Sequence, residues 1–188
     1  IQAGMANVPG VTINRYCSSS LMSIRIAAQA IKAGEGDVFI AAGVETVSRF
    51  LNGMADSGPH NPLYADAEAR TAEYAAGGKG PWEPISGSLP DVYIAMGQTA
   101  ENVAQYTGIS RQRQDEWGVS SQNRAEAAIA AGFFDNDITP LTLPDGIVVT
   151  KDDGPRAGVT YEAVSQLKPV FRPDGTVTAG NACPLNDG

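Results

Sequence analysis

The sequence predicts an α/β fold that carries a mostly helical insertion. Three observations predict it: a strand–helix–strand pattern over the first 46 residues, helical periodicities through the middle of the chain, and a short β-branched run near its end. Val11-Thr12-Ile13-Asn14 comes after Pro9-Gly10 and reads as a strand leaving a turn. From Ser19 the period changes. Leu21, Ile24, Ala28 and Ile31 fall at helical spacing, and Arg25, Gln29 and Lys32 form one narrow polar stripe. A helix apolar over so much of its circumference is expected to be largely buried, and Gly34 and Gly36 are expected to end it. Val38-Phe39-Ile40-Ala41-Ala42 then reads as an apolar strand. Strand, crossover helix and strand form a βαβ unit with two parallel strands in a buried core.

After about Val44 the composition shifts. Residues 52–62 are rich in Gly, Asn, Pro and Asp and read as loop; 65–76 reads as a short helix ended by Gly77-Gly78; 80–90 is again turn-rich. Val92, Met96, Thr99, Val103 and Tyr106 repeat at spacings of four and three, which predicts an amphipathic helix stopping at Gly108. Ser110 is an N-cap for the next helix, through Trp117 and the Ala-rich 125–131 segment to Gly132. Pro144-Asp145-Gly146 precedes a strand candidate at 147–150, and Pro173-Asp174-Gly175 turns into another at 176–178. The expected organisation is a core segment at 1–46, a mostly helical domain at 47–170, and a segment at 171–188 returning to the core.

The chain has 188 residues, is 43% hydrophobic and carries a formal net charge of -8. That acidity excludes a nucleic-acid partner, which needs a dense Lys/Arg face. No apolar run approaches the roughly 20 residues that span a bilayer, and no charged-then-apolar leader opens the chain. Counting leaves a Cys17–Cys183 disulfide open, but two distant cysteines suit a reducing compartment, so a soluble cytoplasmic protein is expected. Ile1-Gln2-Ala3-Gly4 begins without an initiator Met, and Asn186-Asp187-Gly188 closes without a finishing element, so a fragment is expected.

Cys17 sits where the first strand gives way to the helix beginning near Ser19. The first N–H groups of a helix lack intrahelical partners and carry partial positive charge, which stabilises a thiolate placed there. The same groups hold an oxyanion when sulfur attacks a carbonyl. Position alone leaves two readings: a nucleophile, or a small buried hydrophobe flanked by turn-forming serines.

The segment from Val11 to Ser19, ending Asn14-Arg15-Tyr16-Cys17-Ser18-Ser19, resembles the nucleophile segment of thiolases. Gly34-Glu35-Gly36-Asp37-Val38 and Ala42-Gly43-Val44-Glu45 are similar to the strand and loop that come after that segment in the family. Met96-Gly97-Gln98-Thr99-Ala100-Glu101-Asn102 and Ile109-Ser110-Arg111 with Gln114-Asp115 resemble its helical motifs. Gly175-Thr176-Val177-Thr178-Ala179-Gly180-Asn181-Ala182 with Asn186-Asp187-Gly188 is similar to a further family signature. The matches run in order over nearly the whole chain. The resemblance implies a thiolase-like fold: part of the first αβαβα core half, with an inserted, mostly helical loop domain covering coenzyme A. It further implies an acyl-CoA acyltransferase of lipid and fatty-acid metabolism. Cys17 would attack a 3-ketoacyl-CoA, release acetyl-CoA and hold the acyl group for a second CoA, or run the reverse Claisen condensation.

The resemblance also implies that Met96, Phe171 and Ala179 border the pantetheine arm, that Arg156 lies near the nucleotide end, and that Cys183 stands near the CoA amide. By pattern alone Met96, Phe171 and Ala179 are equally packing residues, and Arg156 a solvated loop cation. Cys183 replaces the family's usual Ser, and a thiol is the weaker hydrogen-bonding partner. Ala95 stands where some biosynthetic members carry His. The family's Gly-His-Pro, Asn-Glu-x-Phe and second-cysteine motifs do not occur in the chain, whose single histidine, His60, falls in a loop expected to be exposed and non-catalytic. No permanent cofactor and no metal are expected, CoA being a substrate. A homodimer or homotetramer is implied, and these 188 residues alone are expected to show no thiolytic turnover. Two other readings are a thiolase-like lipid or acyl-CoA carrier without turnover and a helical interaction module.

Overall fold

The computed structural model describes residues 3–49 and 58–187. The loop read at 52–62 therefore lies partly outside the described residues. The chain divides into two units: Ile1–Ala55 with Leu185–Gly188, and Asp56–Pro184.

In the first unit a 3-10 turn, Tyr16–Ser18, runs directly into helix α1, Ser19–Ala33. Gly34 ends α1 in the left-handed conformation at φ 77°, with Glu35 N–H donating to Ala30 O at 3.0 Å. Glycine takes that conformation without a Cβ clash, which is why the stop was legible. Two expectations need correction here. Val11–Asn14 and Val38–Ala42 join no hydrogen-bonded ladder among the described residues. In addition α1 is not largely buried: Ala30 alone is buried, and Leu21 and Ile24 are exposed. The reason is common to both. A parallel strand needs neighbours on its edges and helices on its faces, and α1 is the only α-helix among the described residues of this unit. A second 3-10 turn, Val47–Arg49, is tied to the chain's end. Ser48 N–H donates to Asp187 Oδ1 at 2.8 Å and Ser48 Oγ–H to Oδ2 at 2.6 Å.

The second unit is helical. Helix α2, Ala65–Ala75, ends before Gly77 and Gly78, both at positive φ. Helix α3 spans Met96–Thr107, with left-handed Gly108 as its cap. It begins four residues after the periodicity suggested, because Asp91 Oδ1 accepts from Tyr93 N–H at 2.9 Å and holds a turn there. Helix α4, Arg111–Ala130, is capped by Ser110, whose Oγ accepts from Arg113 N–H at 3.2 Å. Strands β1, Leu141–Thr142, and β2, Val148–Val149, form an antiparallel hairpin around Pro144-Asp145-Gly146. The short helix α5, Tyr161–Ser165, packs on α4 and escaped the sequence reading, as did β1.

Helix α3 reverses the expectation for an amphipathic helix. Met96, Val103 and Tyr106 on its apolar face are exposed, whereas Gln98, Glu101 and Asn102 are buried. The segment 171–181 explains this: it lies along the polar face and supplies its partners. Gly97 allows the approach, since a Cβ there would enter the Phe171 ring, and Gly180 packs on Val164 and Leu167. Residues 176–178 consequently form no strand. They are buried or half-buried and are bonded to α3 and α4 side chains. The second compact unit begins at Asp56 and runs through Pro184, so residues 171–184 pack within it.

Candidate active site

Cys17 lies in the 3-10 turn at the head of α1, with its thiol free and exposed. The turn is fastened on both sides of it. Asn14 Oδ1 accepts from Tyr16 N–H at 3.0 Å; Ser19 Oγ accepts from Arg15 N–H at 2.8 Å and donates to Tyr16 O at 2.7 Å. Tyr16 has φ 49°, the only non-glycine positive φ among the described residues. A bulky residue there costs of order 1–3 kcal/mol and persists only where surrounding contacts fix it, a pattern frequent at reactive centres. Ala42-Gly43 passes beside the first turn of α1, where a Cβ on Gly43 would collide with Ser20 Oγ. The motif residues Asn14, Ser19 and Gly43 thus shape the turn that presents the thiol.

In the second unit, Met96 is the first residue of α3 and is 74% exposed. Its neighbour Gly97 receives the half-buried Phe171 ring, and Gln98 Nε2 donates to Phe171 O at 2.7 Å. Ala179 is exposed at a turn whose predecessor, Thr178, is fully buried. Arg156 is exposed on a loop held to α4: Gln122 Oε1 accepts its N–H at 3.0 Å, and Glu126 Oε2 accepts from Gly158 N–H at 3.1 Å. Cys183 is free and exposed. Phe171 thus packs at Gly97, the residue after Met96, and the loop bearing Arg156 is held to a different helix, α4. His60 is also exposed. Its Nδ1 lies 2.7 Å from Glu68 Oε2 and its ring stacks on Tyr93 at 3.8 Å, a surface arrangement with no nucleophile in it.

Three buried charges in this unit escaped the sequence reading. Glu101 accepts from Thr176 N–H at 2.9 Å, Val177 N–H at 2.8 Å and Thr176 Oγ1 at 3.0 Å. Arg172 donates to Gln98 Oε1 at 2.7 Å, Asn102 Oδ1 at 2.6 Å and Gln105 Oε1 at 3.2 Å. Burial pushes its guanidinium pKa below the usual arginine range, while Glu101 and Asp174 pull the other way. Asp115 accepts from Arg111 Nε at 2.7 Å and Asn181 Nδ2 at 2.8 Å. One signal was available: Gln98, Glu101, Asn102 and Gln105 form a polar stripe at helical spacing, which is a solvated face only when nothing covers it.

Among the described residues there is no group of three or more His, Cys, Asp and Glu able to hold a metal ion, and no helix is long and apolar enough to cross a membrane.

The chain belongs to the thiolase family: the family model for the thiolase N-terminal domain matches residues 1–188. The chain is 43% identical over 187 residues to a beta-ketoadipyl-CoA thiolase of Acinetobacter baylyi, a match covering 96% of this chain and 45% of that protein. Its fold is similar to the dimeric peroxisomal thiolase of Saccharomyces cerevisiae, with TM-score 0.79 and 35% identity, over 99% of this chain and 43% of that one. It is also similar to human mitochondrial 3-ketoacyl-CoA thiolase in complex with CoA, with TM-score 0.71 and 30% identity, over 99% and 45% of the two chains. The chain thus spans a little under half the length of the curated relative it matches.

Proposed function

We propose that the protein carrying this chain is a CoA-dependent acyltransferase that cleaves 3-ketoacyl-CoA by thiolysis or forms it by the reverse condensation, with Cys17 as the nucleophile. The observation that carries the reading is the exposed Cys17 thiol in a turn fixed by Asn14 and Ser19 and preceded by left-handed Tyr16. In the cleavage direction Cys17 Sγ bonds to the C3 carbonyl carbon and the C2–C3 bond breaks. Its electron pair goes to C2, which takes a proton, and acetyl-CoA leaves. The sulfur of a second CoA then bonds to the acyl carbon and Cys17 departs as thiolate. Splitting the transfer in this way replaces one hard step with two easier ones. The proton-transfer groups are expected outside these 188 residues, since the single histidine, His60, is engaged with Glu68 and Tyr93.

In this reading the second unit is the CoA-covering loop domain. Met96, Phe171 and Ala179 line the pantetheine arm, Arg156 meets the nucleotide end, and Cys183 stands near the CoA amide. The two structural neighbours, one a dimeric thiolase and the other a complex with CoA, support an oligomeric enzyme with CoA as substrate. Two free cysteines suit a reducing compartment such as the cytoplasm, and fatty-acid or related acyl-CoA metabolism is the setting.

The test uses the full-length protein, incubated with acetoacetyl-CoA and analysed by peptide mass spectrometry. An acetyl adduct on Cys17 is expected, and Cys17→Ala should lower kcat at least about a thousandfold. CoA binding without any adduct would instead establish an acyl-CoA carrier and sink the enzyme reading. The 188-residue chain alone should cleave no acetoacetyl-CoA.

A further inference from the structure

Phe171 and Ala179 lie on one segment held by a buried frame, whose centre is a carboxylate. Glu101 is 1% exposed, yet no Lys, Arg or His forms an ion pair with it among the described residues. Burying an ionised carboxylate without a cation is costly unless several donors converge on it. Here two backbone N–H groups and one hydroxyl do so, all from Thr176 and Val177. The approach is so close that a Cβ on Gly175 would strike Glu101 Oε1. Arg172 fastens the other end of the segment to the same helix through Gln98, Asn102 and Gln105. Immediately before Arg172, Gln98 Nε2 holds Phe171 O. Beyond both anchors Asn181 accepts from Thr178 N–H at 2.8 Å and donates to Thr176 O at 3.0 Å, which fixes the turn containing Ala179.

We infer that Glu101, with Arg172 as its counterpart, is a positioning residue for the CoA-binding surface: it touches no substrate but fixes segment 171–181 so that Phe171 and Ala179 face the pantetheine arm. The inference rests on the acyltransferase reading and adds to it the residues that hold the surface in register. An apolar side chain at 101 would fill space but could not accept from Thr176 and Val177, so the segment would lose its fixed phase along α3. A displacement of about 1 Å in a substrate-positioning element is enough to cost up to about a hundredfold in rate.

The experiment uses the full-length enzyme carrying Glu101→Ala or Arg172→Lys, the latter because an ammonium cannot reproduce the guanidinium fork. Each variant is assayed with acetoacetyl-CoA and with the acetoacetyl thioester of N-acetylcysteamine, which lacks the nucleotide and most of the pantetheine. Alkylation of Cys17 by iodoacetamide is timed in parallel. The expected result is a KM for the CoA ester raised about tenfold, with kcat changed far less, a smaller penalty on the truncated ester and an unaltered alkylation rate. Equal losses on both esters, slowed alkylation, or an unchanged KM would each overturn the inference. Should the alanine variant fail to fold by circular dichroism, Glu101→Gln keeps one oxygen for the two N–H groups and loses the second. A folded glutamine variant with wild-type KM overturns the inference as well. Absence of an acyl adduct on wild-type Cys17 would be a different failure, that of the acyltransferase reading itself.

Discussion

Ser48 and Asp187 show how much an exposed residue can be governed by one neighbour. The Ser48 hydroxyl first, and its backbone N–H second, hold the Asp187 carboxyl below the ordinary aspartate value. A carboxyl whose pKa is lowered by folding contributes stability above its unfolded value, near pH 3.9. That contribution is lost as the pH falls through the folded value. In a carbon-detected NMR titration, Ser48→Ala should therefore raise the Asp187 midpoint toward the ordinary value; identical midpoints in the two proteins would show that the hydrogen bonds seen here do not persist in solution. The turn that carries Cys17 is, by contrast, fastened locally, by Asn14 and Ser19. Position alone left two readings of Cys17, and the resemblance of its short segment to the thiolase nucleophile motif singled it out from sequence. The burial of Glu101 and Arg172 showed only as the polar stripe of α3, because their partners Val177 and Gln98 lie 76 and 74 residues away; Asp115 pairs with Arg111 on its own helix but also with distant Asn181.

Helix α3 is the element where this difference matters most. Its ends are local facts, a held turn at Asp91 before it and left-handed Gly108 after it, and the stop was legible. Its buried face is a tertiary fact and was read the wrong way round. The same division explains the rest. Stops at Gly34 and Gly77 and the start at Ser110 arise from single residues, whereas strand pairing at 11–14 and 38–42 depends on distant partners. Helix α5 and strand β1, at five and two residues, are too short to display a period. The packing of α3 on 171–181 yields a prediction. Gly97→Ala should favour the helix locally by about 1 kcal/mol, yet the added Cβ enters the Phe171 ring, and overpacking costs about 1–3 kcal/mol. A net fall in the urea midpoint is expected, with part of it restored by adding Phe171→Leu. A higher midpoint for Gly97→Ala would show that Phe171 moves aside freely.

For the whole chain, surface area is the deciding quantity. It exposes 14481 Å² at 19.6 kDa, against about 8,600 Å² for a folded monomer of that mass. Much of the excess is apolar: Val11, Leu21, Val38, Ile40 and Val44 all stand open. Large apolar side chains exposed in such number favour association with further apolar surface. Produced alone, the 188-residue chain should bind a hydrophobic dye such as anilinonaphthalene sulfonate strongly, while the full-length protein should bind it weakly; comparable weak binding by both would show that the chain covers these residues unaided. The hydrogen bonds between Ser48 and Asp187 have a further consequence. They join the chain where it is about to leave the first unit and where it has just come back, so everything from 56 to 184 is an excursion from one pinned point. Closing a loop costs only about 0.6 kcal/mol more for each doubling of its length. Such an arrangement lets evolution, or a protein engineer, lengthen, shorten or exchange the inserted module as a cassette while leaving the thiol-bearing turn untouched.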